Sequence, residues 1–489
     1  MLDGLEVSIV NLKYILNNTD VFRIDSNYFL KEFLNDEQKI RSKNHNKLKS
    51  LTVSIKSFGA YSLNNEVEYL ENGIPFIRGV DMKNGNVNFD NVIYISEKAH
   101  KLLWKSEITP EMVLLSMSGT IGDIAVASTN WKYPINSSQD LAKIDTGWII
   151  NPYFLYAFMY SKFGQNYFKR EARGSVQQHV FLSQIEKLEI PILEKDFVTK
   201  IEALVKNSHT KLEQSKSLYH EAETLLLREV GLDNWQPPQE TAAVKSFSDS
   251  FGKSGRLDAE YYQPQVINLL EILHKQKHIK LYQSCNIVNG YAWKSEYFLE
   301  SENEGFEEGE PFVRIRNCKP GALDIEGLSR LKKDYVIKQN NVEKARSGDI
   351  VIGMDGLKWF YASLIVSPCY VNQRVCWLRL NDNYLITPEY LTLFINTIAG
   401  QNQLLREMTI ADTVGHITNQ SVGNIIVPLL SNEKIKKITM MLKNSVTTKF
   451  ESQRLLELAK KAVETAIEQG EEKAIKEILC PEKICIMKL

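Results

Sequence analysis

No cysteine occurs before Cys285; the six present are Cys285, Cys318, Cys369, Cys376, Cys480 and Cys485. None forms a Cys-x-x-Cys pair, which removes the common zinc-ribbon and thioredoxin-like motifs. No segment approaches the roughly 18 consecutive apolar residues of a membrane span. The opening Met1-Leu-Asp-Gly-Leu-Glu6 has neither the basic region nor the apolar core of a secretion signal. These absences predict a soluble, cytoplasmic protein with no membrane partner. Also missing is any G-x-x-x-x-G-K-S/T loop, which argues against ATP binding by a P-loop. Charge of one sign is not in excess either. With 59 Lys and Arg against 60 Asp and Glu, the net charge is −1, which neither demands nor excludes nucleic acid.

What the chain does have is itself, twice. Ile74-Pro-Phe-Ile-Arg78 returns as Glu310-Pro-Phe-Val-Arg314, an offset of 236. Gly119 answers to Gly356, His179 to His416 and Pro191 to Pro428 at 237, and Pro152 to Pro388 at 236. Upstream, Arg23-Ile-Asp25-Ser-Asn-Tyr28 matches Arg256-Leu-Asp258-Ala-Glu-Tyr261 at 233. Solenoid repeats run to about 20–50 residues, so each copy here should be a domain. A disulfide framework would be expected to duplicate with the fold, and the first copy has no cysteine. The six therefore read as free thiols in a reducing compartment.

Within each copy the periodicity changes. Short β-rich runs (Ile74–Val80, Met112–Met117, Ile124–Ala127) alternate with turn signals such as Lys83-Asn84-Gly85-Asn86. Asn151-Pro152 and Thr387-Pro388 read as helix N-caps followed by proline at the first helical position. After a short strand (Leu188–Ile192; Ile425–Leu429), each copy enters a helix of about 35 residues, at Asp196–Val230 and Glu433–Gln469. Each would be roughly 50 Å long. Its apolar positions include Leu204, Val205, Leu218, Tyr219, Leu225 and Leu226, then Met441, Leu442, Leu455, Leu456, Ala462 and Val463. Beside them runs a seam of small residues: Ser208, Ser215 and Ala222, then Ser445, Ser452 and Ala459. Small residues let backbones approach, so the two helices are predicted to pack on each other as an antiparallel coiled coil. The fold class is thus α+β: two similar mixed α/β domains, each followed by a long helix. The expected boundaries are domain one at 1–193, helix one at 194–230, a linker at 231–255, domain two at 256–431, helix two at 432–470 and a tail at 471–489.

Most motifs that could carry chemistry fail on inspection. Asn151-Pro152-Tyr153-Phe154 lacks the second proline of an amino-methyltransferase loop, and no Gly-rich turn for S-adenosylmethionine accompanies it. His274 and His278 lie four apart on a probable helix, but no third metal ligand is near in sequence. His179 and His416 have no G-x-S-x-G elbow and no candidate orienting acid, so a polar contact or helix-end packing is expected of them. Ser118-Gly119-Thr120-Ile-Gly122 is a tight loop. Only its first glycine survives at Asp355-Gly356-Leu357-Lys358, and that glycine is expected to fix a turn at positive φ. From Lys39 to Lys49 five basic residues face no acid, and from Arg314 to Arg346 nine basic residues face four acidic ones. Charge runs of this kind most often form a solvated face.

The ordered set Arg-Ile/Leu-Asp-x-x-Tyr, Pro-Phe-Ile/Val-Arg, Ser118-Gly-Thr-Ile-Gly122 and Gly174-Ser-Val-Gln-Gln-His179, closed by Ile-Pro and a long helix, resembles the specificity subunit of type I restriction–modification enzymes. The second copy departs at Asp355-Gly-Leu-Lys-Trp359 and Thr413-Val-Gly-His416. The resemblance implies a non-catalytic subunit that binds double-stranded DNA. Two target recognition domains would each read half of a split site, with the paired helices as a ruler. Two methyltransferase subunits would dock on it and carry the S-adenosylmethionine; restriction subunits, where a system has them, would bring ATP and Mg. No cofactor or metal is expected on this chain.

Candidate base readers are Arg78, Ser118, Thr120, Arg173, Gln177 and Gln178 in copy one, and Arg314, Arg316, Lys358, Trp359, Gln373 and Arg374 in copy two. Arg suits guanine and Gln adenine, while Lys and Ser more often touch phosphate. Arg78 and Arg314, present in both copies, suit architecture or phosphate better than base reading. The helix seam for packing and partners is Ser208, Ser215, Leu218, Ala222, Ser445, Ser452, Leu455 and Ala459. Alternatives are the specificity subunit of a related nuclease–methyltransferase, an orphan phase-variable methylation system, or a protein-interaction adaptor that binds no DNA.

Overall fold

The computed structural model describes residues 7–18, 23–58, 67–90, 92–174, 178–240, 242–300, 306–325, 327–339, 341–381, 386–411 and 414–477. They form two compact units. Unit 1 holds the chain up to Lys211 together with the residues from Glu451 onward, and unit 2 runs from Leu212 to Phe450. The division passes through the middle of both long helices, so each unit owns half of each helix.

Both units repeat one plan. In unit 1 an antiparallel sheet orders Ile124–Val126, Val113–Ser116, Leu141–Asp145 and Ser54–Lys56. A second sheet sets Ile74–Ile77 parallel to Ile135–Ser137, with Ile77 opposite Ser137. In unit 2 the corresponding centre is Ile350–Gly353 against Val375–Leu380, and Glu310–Val313 lies parallel to Tyr370–Val371. Val113–Ser116 and Ile350–Gly353 are buried at every residue, which explains their unbroken apolar runs. The expected N-caps form: the Asn151 side chain accepts from the N–H groups of Tyr153 and Phe154 at 3.0 and 3.1 Å. Thr387 accepts from Tyr390 N–H at 3.2 Å. The Asn84-Gly85 turn takes positive φ at both residues, 51° and 74°, and the Gly85 carbonyl receives the buried Tyr156 hydroxyl at 2.8 Å.

The Arg-x-Asp-x-x-Tyr motif is a strap. Arg23 pairs with Asp25 and donates to the Arg170 carbonyl at 2.9 Å, near the end of helix Lys162–Glu171. Arg256 pairs with Asp258 and donates to the Glu407 carbonyl at 3.2 Å, at the end of helix Ile398–Glu407. Cations suit helix C-termini. Tyr28 lies against the guanidinium groups of both Arg23 and Arg170, 4.5 and 4.2 Å from its ring centre. Tyr261 is held likewise by Arg256 and Arg406, at 4.8 and 3.9 Å.

The long helices run from Lys195 to Val230 and from Asn432 to Gln469. In unit 1, buried Ser208 and Ser452 each donate to the other's backbone carbonyl, at 2.8 and 2.7 Å. In unit 2, Ser215 and Ser445 do the same, both at 2.8 Å. As the first helix advances from 208 to 215 its partner falls from 452 to 445, so the segments are antiparallel. A reciprocal bond to the facing carbonyl needs close backbones, which serine allows and any larger side chain prevents. Ala222 and Ala459 are fully buried, while Leu218 and Leu455 are half-buried. Phe197, Ile201, Leu204 and Val205 share one core with Leu456, Ala459, Ala462 and Val463. Leu225, Leu226 and Val230 share another with Ile435, Ile438 and Leu442. Beyond the second helix, Glu471–Glu477 forms a short helix whose Ala474 is buried in the unit 1 core.

Three expectations are corrected. Gly119 has φ 73°, but Gly356 is not in the positive-φ region. A Cβ on Gly356 would instead lie 2.9 Å from the Trp359 carbonyl oxygen, so close approach is what requires glycine there. His274 ends its helix, and His278 stands in strand His278–Lys280; their rings meet edge to face at 5.1 Å. Among the described residues no group of three His, Cys, Asp or Glu could hold a metal ion. The third correction concerns His416, which does have an acid beside it. Cys285, Cys318, Cys369 and Cys376 are buried thiols, and burial raises the first three to a pKa of about 12. Cys480 and Cys485 lie outside the described residues. No helix among those described is long and apolar enough to cross a membrane.

Candidate nucleic-acid interface

Where the central strand of each unit ends, the chain turns and meets a hairpin from the loop after the second short helix. In unit 1 this junction is slight. Ser118 bridges to His179, and His179 and Arg173 exchange backbone hydrogen bonds at 2.7 and 3.0 Å. The Thr120 hydroxyl lies within hydrogen-bonding reach of Ser116 Oγ at 3.2 Å and of the Gly79 carbonyl at 3.4 Å, joining this turn to the Arg78 loop. Its one proton can go instead to Asp123, whose carboxyl burial pushes above its usual range. Gln178 is exposed, and His179 packs on half-exposed Phe181 at 4.8 Å. Arg173 lines a cleft with Tyr28, Arg170 and Gln184, and its Nε is buried with no hydrogen-bond partner among the described residues. Gln177 lies outside the described residues.

In unit 2 the junction is a small sheet. Asp355–Gly356 pairs with Val414–His416, which pairs with Thr409–Ala411. Asp355 lies opposite His416, and its carboxylate meets His416 Nδ1 at 2.6 Å. The other oxygen of Asp355 is 3.5 Å from Arg374 Nε. Lys358 and Trp359 occupy the exposed turn beyond, with Trp359 stacked nearly parallel to Tyr361 at 6.1 Å. Gln373 is exposed beside Arg374. The structure therefore gathers Asp355, Trp359, Arg374 and His416.

The other candidate arginines are held by carboxylates. Arg78 makes two side-chain contacts to Asp81 at 3.1 Å, and its N–H donates to the same carboxylate at 2.8 Å. At the equivalent place Arg314 N–H donates to Asn317 at 2.9 Å. Asn317 carries no charge, and the Arg314 guanidinium turns to Glu300 at 3.1 Å. Arg316 reaches Glu300 at 2.7 Å and Ser329 at 2.7 Å. Burial alone would raise the Glu300 carboxyl; Arg316, Ser329 and the Arg314 charge hold it below the usual range. The basic run at 39–49 is largely paired too, Lys39 with Glu468, Arg41 with Glu189 and Lys49 with Glu186.

Sequence reasoning named His416 but missed Asp355 as its partner. The available signal was that Asp355 replaces Ser118 beside a retained glycine. Among the described residues no Ser, Thr or Cys side chain is hydrogen-bonded to the His416 ring. The groups gathered here are donors, acceptors and stacking faces, suited to binding a polar, flat-sided ligand.

No protein-family model matches the chain. The chain is similar to the EcoBI type I restriction enzyme specificity subunit of Escherichia coli, 25% identical over 207 residues. That match covers 41% of this chain and 40% of the relative's length. Among solved structures it is similar to the S subunit of a type I restriction–modification system from M. genitalium, at TM-score 0.39 and 14% identity, covering 87% of this chain and 95% of that one. It is also similar to the HsdS subunit of Thermoanaerobacter tengcongensis, at TM-score 0.28 and 14% identity, covering 87% and 97%. TM-scores this low carry no functional weight. The curated relative belongs to the family that the duplicated motifs resemble.

Proposed function

We propose that this chain is the DNA-recognition subunit of a type I restriction–modification complex, reading a two-part site with one unit per half. One observation carries this reading. The same turn-and-hairpin junction recurs at the same point of both units, with Ser118, Thr120 and Gln178 in one and Asp355, Lys358, Trp359 and Arg374 in the other. A retained frame with changed exposed side chains suits two half-sites of different sequence. One small domain discriminates by about 1–3 kcal/mol per base pair, so joining two multiplies selectivity. In this proposal the long helices space the half-sites and, with adjoining surfaces, dock two methyltransferase subunits that bring S-adenosylmethionine. Restriction subunits, where present, bring ATP and Mg. Arg78, Arg314 and Arg316 shape their loops through carboxylates, and the bases are read by the exposed groups.

The test is footprinting of the chain with co-expressed methyltransferase subunits on genomic duplex DNA. Two protected blocks of fixed sequence around an unread spacer are expected, with affinity falling steeply as salt rises. Binding with no sequence preference would overturn the reading. No duplex binding at low salt would favour the protein-interaction adaptor.

A further inference from the structure

Every arginine of the candidate set but two is hydrogen-bonded through its guanidinium to an internal carboxylate. Arg173 is one exception, its Nε buried in a cleft. Arg374 is the other, and it differs in being open: its side chain is 57% exposed, and its nearest approach to Asp355 is through Nε at 3.5 Å, an ion pair without a hydrogen bond. Neither Nη atom has a partner among the described residues. A guanidinium that faces its carboxylate through Nε, with no hydrogen bond at its terminal nitrogens among the described residues, keeps its outer edge for bidentate contact with guanine O6 and N7.

The group that holds it is itself fixed. Asp355 lies in the small sheet opposite His416, which takes its other oxygen at 2.6 Å. The backbone beneath tolerates no bulk. A Cβ on Gly415 would sit 2.5 Å from the Gly356 carbonyl oxygen and 2.2 Å from Met408 Sδ. A second tie closes the arrangement, because Met354 N–H donates to the Arg374 carbonyl at 2.9 Å. His416, Asp355 and Arg374 thus form a chain of contacts running from a rigid sheet to an exposed cation. In unit 1 the residue at the Asp355 position is Ser118, which has no charge to orient an arginine.

We infer that Asp355, backed by His416, is a positioning residue that aims the Arg374 guanidinium at one guanine of the half-site read by unit 2. This rests on the DNA-recognition reading above. Preorganisation of this kind lowers the ordering cost of a long side chain on binding, and an Asp–Arg pair lets the cation form one contact without leaving the other.

The experiment selects from a randomised duplex pool with the full chain and its co-expressed methyltransferase subunits, comparing wild type, Arg374→Ala, Asp355→Asn and His416→Asn. Wild type should return a two-part site. Arg374→Ala should lose preference for guanine at a single position by roughly ten- to a hundred-fold. Asp355→Asn should relax that same position, and His416→Asn should relax it by less, all with the unit 1 half-site unchanged. A merely structural role would weaken every position of the unit 2 half-site together, and that result overturns the inference. So does a change by Asp355→Asn at a position that Arg374→Ala leaves alone, because Asp355 would then be a reader itself. An unchanged site in all variants overturns it as well. A wild-type pool with no recovered sequence is a different failure, that of the recognition reading.

Discussion

Units 1 and 2 share a frame and differ where charge is placed. Unit 1 puts charge inside. Arg170, almost fully buried, meets Glu37 at 3.2 Å, and Tyr28 donates to Glu171 at 2.7 Å beside it. Lys143 is 2% exposed, with Ser137 Oγ accepting from its amine at 3.1 Å. Unit 2 fills the equivalent places with apolar groups. Leu270 stands where Glu37 does, and Trp377 takes the place of Lys143 in the strand register. Unit 2 buries a different carboxylate, Asp349, which Arg379 meets at 2.7 Å, and gathers Asp355, Arg374 and Lys358 at its surface junction. The duplication therefore preserved backbone and seam while each unit settled polar groups its own way. Burying a charge demands a partner, so the interior differences come as sets and not singly.

The sharpest way to break this comparison is at Arg170. Arg170→Met takes the buried cation from Glu37, leaving it Arg41 alone, and removes the bond to the Tyr28 carbonyl, and should cost unit 1 about 3–5 kcal/mol. Arg406→Met removes a bond to the Tyr261 carbonyl at 3.1 Å with no Glu37 counterpart beside it, and should cost unit 2 about 1–2 kcal/mol. Hydrogen exchange resolved by segment separates the two; equal losses would contradict the contrast. Next come the seams. Ser208→Leu and Ser215→Leu each put a bulky group between close backbones and should each cost about 1–3 kcal/mol, in unit 1 and unit 2 respectively. Loss of protection confined to the matching unit is expected, and no loss in either would deny the close packing.

A further effect is electrostatic and is read through pH. Burial lowers the Lys143 amine from 10.5 to about 7. Above 10.5 it is neutral whether folded or not. Between about 7 and 10.5 the unfolded chain holds a proton that the folded unit lacks. Stability of unit 1 therefore rises with pH across that window, by about 1.4 kcal/mol per pH unit from this group, and is flat below it. Lys143→Met should remove that rise in a denaturant series run at pH 7.5, 8.5 and 9.5, values chosen to fall roughly inside the window.

Much of this was legible in the sequence. The repeat offsets found both units, because retained glycine, proline and cap positions mark where the backbone cannot vary. The serine seam was readable for the same reason: only small residues fit, and both copies keep them. Two things were hidden. Each unit takes half of each long helix, a long-range pairing that no local period encodes. The Asp355–His416 contact joins residues 61 apart. Single-copy substitutions such as Leu270 for Glu37 acquire meaning only when the partner across the fold is known. The Arg-x-Asp-x-x-Tyr motif could be recognised in both copies, but its work as a strap on a helix end emerges only from the folded contacts.

The central claim is that two like units read two unlike half-sites independently. Selection from a randomised duplex pool, comparing Gln178→Ala with the double variant Lys358→Ala/Trp359→Ala, tests it most directly. The expected result is relaxed preference in one half of the site for the first variant and in the opposite half for the second. Relaxation of the same half by both, or a uniform loss of affinity across all sequences, would contradict it.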